Sequence, residues 1–337
     1  MKNQDIQAKI DVSTELLNEA RTFYESSNYD KSERCAKEVL ELLESFAERD
    51  DLGEERDTSS QKYAVIDLLA HAYNRLNTIS TARADYALSL RQAEIGLSFS
   101  ERMGNFARQA SLLGNIGNVY QSLSDYPKAM EYYHQALAIN EELSRKSGIA
   151  GNLGNIGNVY RNLSDCPNAL VYYQKALAIY EELGSNSGIA KNLGNIGLVY
   201  WNLSDYPNAL EYFQKALALN VELGSKSSIA NNLGNIGLVY QNLSDYPKAL
   251  EYYHKALAID VELGSKSGIA SELGDIGIVY RNLADYPKAL EYLQKALAIN
   301  EELGSKHSIA SNLGNIGNVY GDFSDHLKAL EYYHKAL

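Results

Sequence analysis

The chain has 337 residues, 45% of them apolar and 22% charged, which is ample for a large core. Its two cysteines, Cys35 and Cys166, are too few for a disulfide framework and point to a reducing, cytoplasmic setting. The net charge of −12 lacks the basic footprint that nucleic-acid binding needs, and no apolar run approaches membrane-span length, so neither nucleic acid nor membrane insertion is expected.

The N-terminus, MKNQDIQAKIDVSTELL, has no apolar stretch of signal-peptide length. Residues 1–60 hold 16 acidic against 8 basic side chains, a balance that aids solubility and weakly favours basic partners. Within them Leu16, Ala20, Phe23, Tyr29 and Leu40 form a faint copy of a pattern that is clear further on. Residues 1–60 are therefore expected to be a degenerate helix pair with an acidic tail. Over 61–104, Tyr73, Asp85-Tyr86 and Met103-Gly104 match the same landmarks. About seven extra residues between Tyr73 and Asp85 predict a longer connection between its helices. From about residue 105 the chain copies itself every 40 residues, six times, the last copy stopping at Ala336-Leu337. Eight units are expected in all.

Each unit reads as two helices. In the third clean copy Leu193, Ile196, Gly197, Tyr200 and Leu203 fall on one face of a helix. Ser204-Asp205-Tyr206-Pro207 ends it. Asp205 is suited to cap the next helix, and Pro207 fits a first turn, where an amide partner is not needed. Tyr206, Ala209, Leu210, Phe213, Ala216, Leu217 and Leu223 then repeat at helical spacing. Gly224 suits a left-handed helix end. Glu211/Lys215, Glu251/Lys255 and Glu291/Lys295, four residues apart, support the outer face by a few tenths of a kcal/mol each.

The order Leu193-x2-Ile196-Gly197-x2-Tyr200, then Ala209-x3-Phe213-x2-Ala216, resembles the tetratricopeptide repeat. Val221 stands where that family has a helix-ending proline, and the period is about 40 rather than 34 residues, so both helices should be longer. This longer form is similar to the repeats of Leu-Gly-Asn adaptors and kinesin light chains. The resemblance is strong over 60–337 and weak over 12–56. It implies an all-α solenoid, a right-handed superhelix of about eight helix-turn-helix units whose stacked pairs share one core.

Most of the 26 tyrosines fall in four columns, including Tyr120/Tyr160/Tyr200 and Tyr132/Tyr172/Tyr212. A residue used alike in every unit packs or caps a helix pair. The opposite face of the first helix carries Lys191, Gly194, Asn195, Leu198, Trp201 and Asn202, and the family resemblance places this face in a concave groove. One column there reads Gln121, Arg161, Trp201, Gln241, Arg281, Gly321. A second reads Asn118, Asn158, Leu198, Leu238, Ile278, Asn318. A third is nearly constant: Asn162, Asn202, Asn242, Asn282. Amides can satisfy an extended peptide backbone, arginine can fork onto a carboxylate, and a buried tryptophan is a typical hot spot. Gly154 and Gly194 would open the groove floor. The competing reading is that Leu198, Leu238 and Ile278 pack on adjacent units while the variable column drifts.

No catalytic constellation, cofactor motif or metal site emerges. Gly264-Ser265-Lys266-Ser267 lacks the order of a phosphate-binding loop and recurs as the turn between units. His134, His254 and His334 lie at least 80 residues apart. Glu141-Glu142 and its relatives are neighbours on a helix and do not face one another. The leading expectation is a non-enzymatic scaffold or adaptor that holds a partner peptide or helix. Alternatives are a regulatory module of a larger signalling or enzymatic protein, since no polar capping helix follows Leu337, and self-association through Tyr332, Tyr333, Ala336 and Leu337.

Overall fold

A computed structural model describes residues 2–25, 28–47 and 56–337; of the span 1–60, where a helix pair with an acidic tail is expected, residues 48–55 lie outside them. The described residues form sixteen helices in eight consecutive pairs. The first two pairs are α1 (Lys2–Glu25) with α2 (Tyr29–Ala47), and α3 (Arg56–Ala82) with α4 (Tyr86–Arg102). The clean copies give α5 (Phe106–Ser122) and α6 (Tyr126–Glu142), then α7 (Lys146–Asn162) and α8 (Cys166–Glu182). They continue with α9 (Asn186–Asn202) and α10 (Tyr206–Glu222), α11 (Lys226–Asn242) and α12 (Tyr246–Leu263), α13 (Lys266–Asn282) and α14 (Tyr286–Leu303), and α15 (Lys306–Asp322) and α16 (His326–Ala336). The chain divides into two compact units, Met1–Ile179 and Tyr180–Leu337.

Short connections and buried stripes make these helices pack as neighbours. In the second unit α9 packs on α10, α10 on α11, and so on to α16. First helices also touch first helices: α9 meets α11, α11 meets α13, and α13 meets α15. One amphipathic helix pair cannot bury its apolar face alone, so each pair is completed by the next. Between α10 and α11, for example, Ala209 and Phe213 close on Ile236 and Val239, with Tyr200, Trp201 and Tyr240 at the margin.

The expected punctuation holds. The Asp205 carboxylate accepts from the Asn208 amide at 3.3 Å, and Asp125, Asp245, Asp285 and Asp325 cap their helices in the same way. Proline sits in the first turn of α6, α10, α12 and α14. Lys215, Lys255 and Lys295 pair with Glu211, Glu251 and Glu291 at 2.6–2.7 Å on the exposed face. The tyrosine columns are internal stacks: Tyr160 on Tyr172, Tyr200 on Tyr212 and Tyr280 on Tyr292, with ring centroids 5.3–5.4 Å apart.

The longer connection expected between α3 and α4 is absent. The turn is Arg83-Ala84-Asp85, the same length as Leu203-Ser204-Asp205, and the additional residues extend α3 to 27 residues against 17 for α9. Counting back from Asp85, the repeat's tyrosine position falls on Ser80. Tyr73 lies seven residues earlier, about two helical turns, and so on the same face, where it stacks on Phe99 at 6.0 Å.

Candidate binding surface

The surface begins with a glycine and a ring. An added Cβ at Gly197 would stand 2.8 Å from the Phe213 ring, and one at Gly157 would stand 2.8 Å from Tyr173. This glycine column lets the second-helix aromatic lie flat on the first helix. Tyr133, Tyr173 and Tyr253 are fully buried there, and burial holds their phenols above the usual range.

Each buried hydroxyl needs an acceptor. The Tyr133 hydroxyl stands 2.7 Å from Asn118 Oδ1 and 2.8 Å from Gln121 Oε1, with one proton to donate between them, and Tyr173 donates to Asn158 Oδ1 at 2.7 Å. Tyr253 donates to Gln241 Oε1 at 2.9 Å, and the exposed Tyr333 of the last copy donates in the same way to Asn318 Oδ1 at 2.8 Å. The two variable columns therefore touch the core as well as the outside. In the copies where the ring position is Phe213 or Leu293, the facing residues are Leu198 with Trp201, and Ile278 with Arg281, none of which is a side-chain acceptor. This coupling is a feature that sequence reading missed, although it was present in the aligned copies.

Asn118, Asn158, Leu198, Leu238, Ile278 and Asn318 are half-buried, as are Gln121, Arg161, Trp201, Gln241 and Arg281. Asn162, Asn202, Asn242 and Asn282 are exposed at the helix ends, where the Asn242 amide folds back on the Leu238 carbonyl at 2.7 Å. Arg281 already has a carboxylate, Asp322, at 2.6 Å. Arg161 Nε and Trp201 Nε1 are buried without a hydrogen-bond partner among the described residues.

The concavity itself lies one turn earlier. In the second unit a groove of about 460 Å³ opens between α9 and α11, lined by Lys191, Gly194, Asn195 and Leu198 on one side and Asn231, Asn232 and Asn235 on the other, with Asn220 from α10. A second groove, of about 300 Å³, repeats it between α13 and α15. Gly194 lies in the lining, where an added Cβ would meet only Asn232 Oδ1, at 3.7 Å. The asparagines at 220, 232 and 235 were not among the expected contacts. Their columns are mostly asparagine, with Tyr180 and Asp260, Leu112 and Glu272, and Asp275 as the departures. Several relatives keep unpaired buried atoms, namely Asn192 Oδ1 in the second unit and Asn140 Oδ1 and Asn152 Nδ2 in the first. Among the described residues no group of His, Cys, Asp or Glu is placed to hold a metal ion, and no helix is long and apolar enough to cross a membrane.

The chain matches the tetratricopeptide repeat family over residues 108–182, 148–220, 188–260, 228–302 and 268–337. No curated protein matches it. Among solved structures, a Rap protein complexed with Competence and Sporulation Factor is similar at TM-score 0.67 and 16% identity, over 99% of this chain and 97% of that one. Aspartyl phosphate phosphatase F from Bacillus subtilis is similar at TM-score 0.66 and 16% identity, over 97% and 93%. The Rap conjugation gene regulator of the plasmid pLS20, in complex with the Phr* peptide, is similar at TM-score 0.65 and 16% identity, over 97% and 94%. At such identities the likeness is one of fold.

Proposed function

The chain belongs to the tetratricopeptide repeat family, and on that premise we propose that it is a non-enzymatic scaffold holding a segment of a partner protein against its first helices. The observation that carries this reading is the groove of about 460 Å³ in the second unit, with Asn195, Asn220, Asn231, Asn232 and Asn235 around Gly194 and Leu198. An asparagine offers a donor and an acceptor together, so a wall of them can pair with a peptide backbone whatever its side chains. Buried polar atoms without partners, such as Asn192 Oδ1 and Trp201 Nε1, are costly unless something completes them. Leu198, Trp201, Leu238 and Ile278 supply the apolar contact in the second unit, and Arg161 offers a guanidinium in the first. One fold relative is named as a complex with the Phr* peptide, which supports a peptide guest here. The buried free thiols of Cys35 and Cys166 favour work in a reducing compartment.

The test compares affinity capture by the wild type and by an Asn195→Ala/Trp201→Ala/Asn235→Ala variant whose melting temperature is unchanged. A partner retained by the wild type and lost by the variant is expected. Equal capture by both would place binding elsewhere and overturn the reading.

A further inference from the structure

Asparagine fills three shared positions in the two grooves described above. Asn220, Asn232 and Asn235 line the groove between α9 and α11, and Asn300, Asn312 and Asn315 line the one between α13 and α15. In the copy between them the same three positions are Asp260, Glu272 and Asp275. The window between α11 and α13 thus carries three carboxyl groups where the other two windows carry amides at the same three positions, with Asn231 and Ser271 standing where the α9–α11 groove has Lys191 and Asn231.

Glu272 occupies the position of Asn232. It reaches over Gly234 of α11, where an added Cβ would stand 2.7 Å from Glu272 Oε1, whereas the equivalent asparagines leave 3.6–3.7 Å. Its side chain is 7% exposed, and Oε2 has no hydrogen-bond partner. Asp260, on the last turn of α12, is equally buried and lies against Gly268. Burial and repulsion by Asp275 and Asp260 push the Glu272 carboxyl up to about 8, and burial pushes Asp275 to about 7. An acid so placed is unfavourable when ionised until a cation joins it.

We infer that the window between α11 and α13 receives an arginine or lysine side chain of the bound protein segment, clasped by Asp260, Glu272 and Asp275. The inference rests on the peptide-holding reading above and gives that segment a chemical address. Amides predominate in the flanking windows, although Asp275 also borders the one between α13 and α15, while the central window, with three carboxyl groups, selects a cation at one position of the guest. Charge complementarity in a desolvated site contributes more to selection than to bulk affinity.

The test uses the full chain and fluorescein-labelled pools of short synthetic peptides. Each pool has Arg, Lys, citrulline or Glu fixed at the central position and no Arg or Lys elsewhere, and binding is read by polarisation. The wild type should hold the Arg and Lys pools about tenfold more tightly than the citrulline pool. An Asp260→Asn/Glu272→Asn/Asp275→Asn variant, which carries the flanking copies' own residues and so keeps a proven frame, should lose that preference and bind citrulline as before. Pools that bind the wild type without distinguishing charge overturn this inference and leave the scaffold reading standing. A preference that survives in the variant also overturns it, as does displacement of the Arg pool by micromolar spermidine, which would assign the site to a free polyamine. Failure of every pool to bind either protein removes both readings.

Discussion

The hydroxyl of Tyr173, buried in α8, donates to Asn158 Oδ1 on α7 at 2.7 Å. The bond joins a core ring to a residue of the outward column, and it recurs wherever the ring is tyrosine: at Tyr133, Tyr253 and Tyr333. Where the ring is Phe213, the outward pair is Leu198 and Trp201. The outward columns and the core ring change together.

A double-mutant cycle measures that coupling. Phe213→Tyr alone buries a hydroxyl facing Leu198 and Trp201 and should cost about 1–3 kcal/mol. Adding Leu198→Asn supplies the acceptor and should recover most of the loss, giving a coupling energy of at least about 1 kcal/mol in urea unfolding. Additive losses would mean that the ring and the column are independent.

The two glycine columns should respond in opposite ways to alanine. Gly197→Ala drives a methyl to 2.8 Å from the Phe213 ring. Overpacking of this kind costs about 1–3 kcal/mol, which outweighs a helix-propensity gain of about 1 kcal/mol. Gly194→Ala meets only Asn232 Oδ1 at 3.7 Å, so stability should rise by up to about 1 kcal/mol while the narrowed groove weakens partner binding. Thermal melts and a binding titration on the same two variants separate these outcomes.

Ser144 ends α6 with φ +53, in the left-handed region, at a position that the later copies fill with Gly184, Gly224, Gly264 and Gly304. A side chain in that conformation costs roughly 1–2 kcal/mol. Ser144→Gly should therefore raise the urea midpoint by an amount corresponding to about 1 kcal/mol, less the entropy glycine returns to the unfolded chain. The reverse change, Gly224→Ser, should lower it by a similar amount.

Stability should fall as pH rises from mildly acidic to mildly alkaline. Glu272 is raised from 4.5 to about 8 and Asp275 from 3.8 to about 7. Between those limits the folded chain keeps protons that the unfolded chain has released. The stabilisation is therefore complete below pH 4 and is lost towards pH 8, by at most about 1.4 kcal/mol per pH unit for each carboxyl. Melting curves at pH 5 and pH 8 should differ for the wild type, and the difference should shrink in Glu272→Gln/Asp275→Asn.

The repeat frame was legible because it rests on local rules. Asp205 before a first-turn proline, apolar residues on one helical face, and Glu211 four residues before Lys215 each carry meaning within a few positions. The α3–α4 turn was misread because Tyr73 and Ser80 share a helix face, so the more conspicuous residue stood in for the correct one. Ser204 at φ +58 gave no warning, since serine is not the residue expected in a left-handed turn. Asn195, in the column of Asn235, is legible as outward-facing, but Asn232 lies off that helix face and gives no such signal. Its place in the groove follows from how α9 meets α11, a relationship between units rather than a pattern inside one.

The hydroxyl-to-amide bonds carry an evolutionary consequence. A mutation that removes the acceptor at Asn158 or Gln241 also strands a phenol inside the molecule, so single steps that alter the outward column pass through weakened intermediates. Duplicating an entire forty-residue cassette carries ring and acceptor across together and incurs no such defect. An array built in this way diversifies most readily by copying and shuffling whole cassettes, with point substitutions confined to residues, such as Asn202, that answer to nothing in the interior.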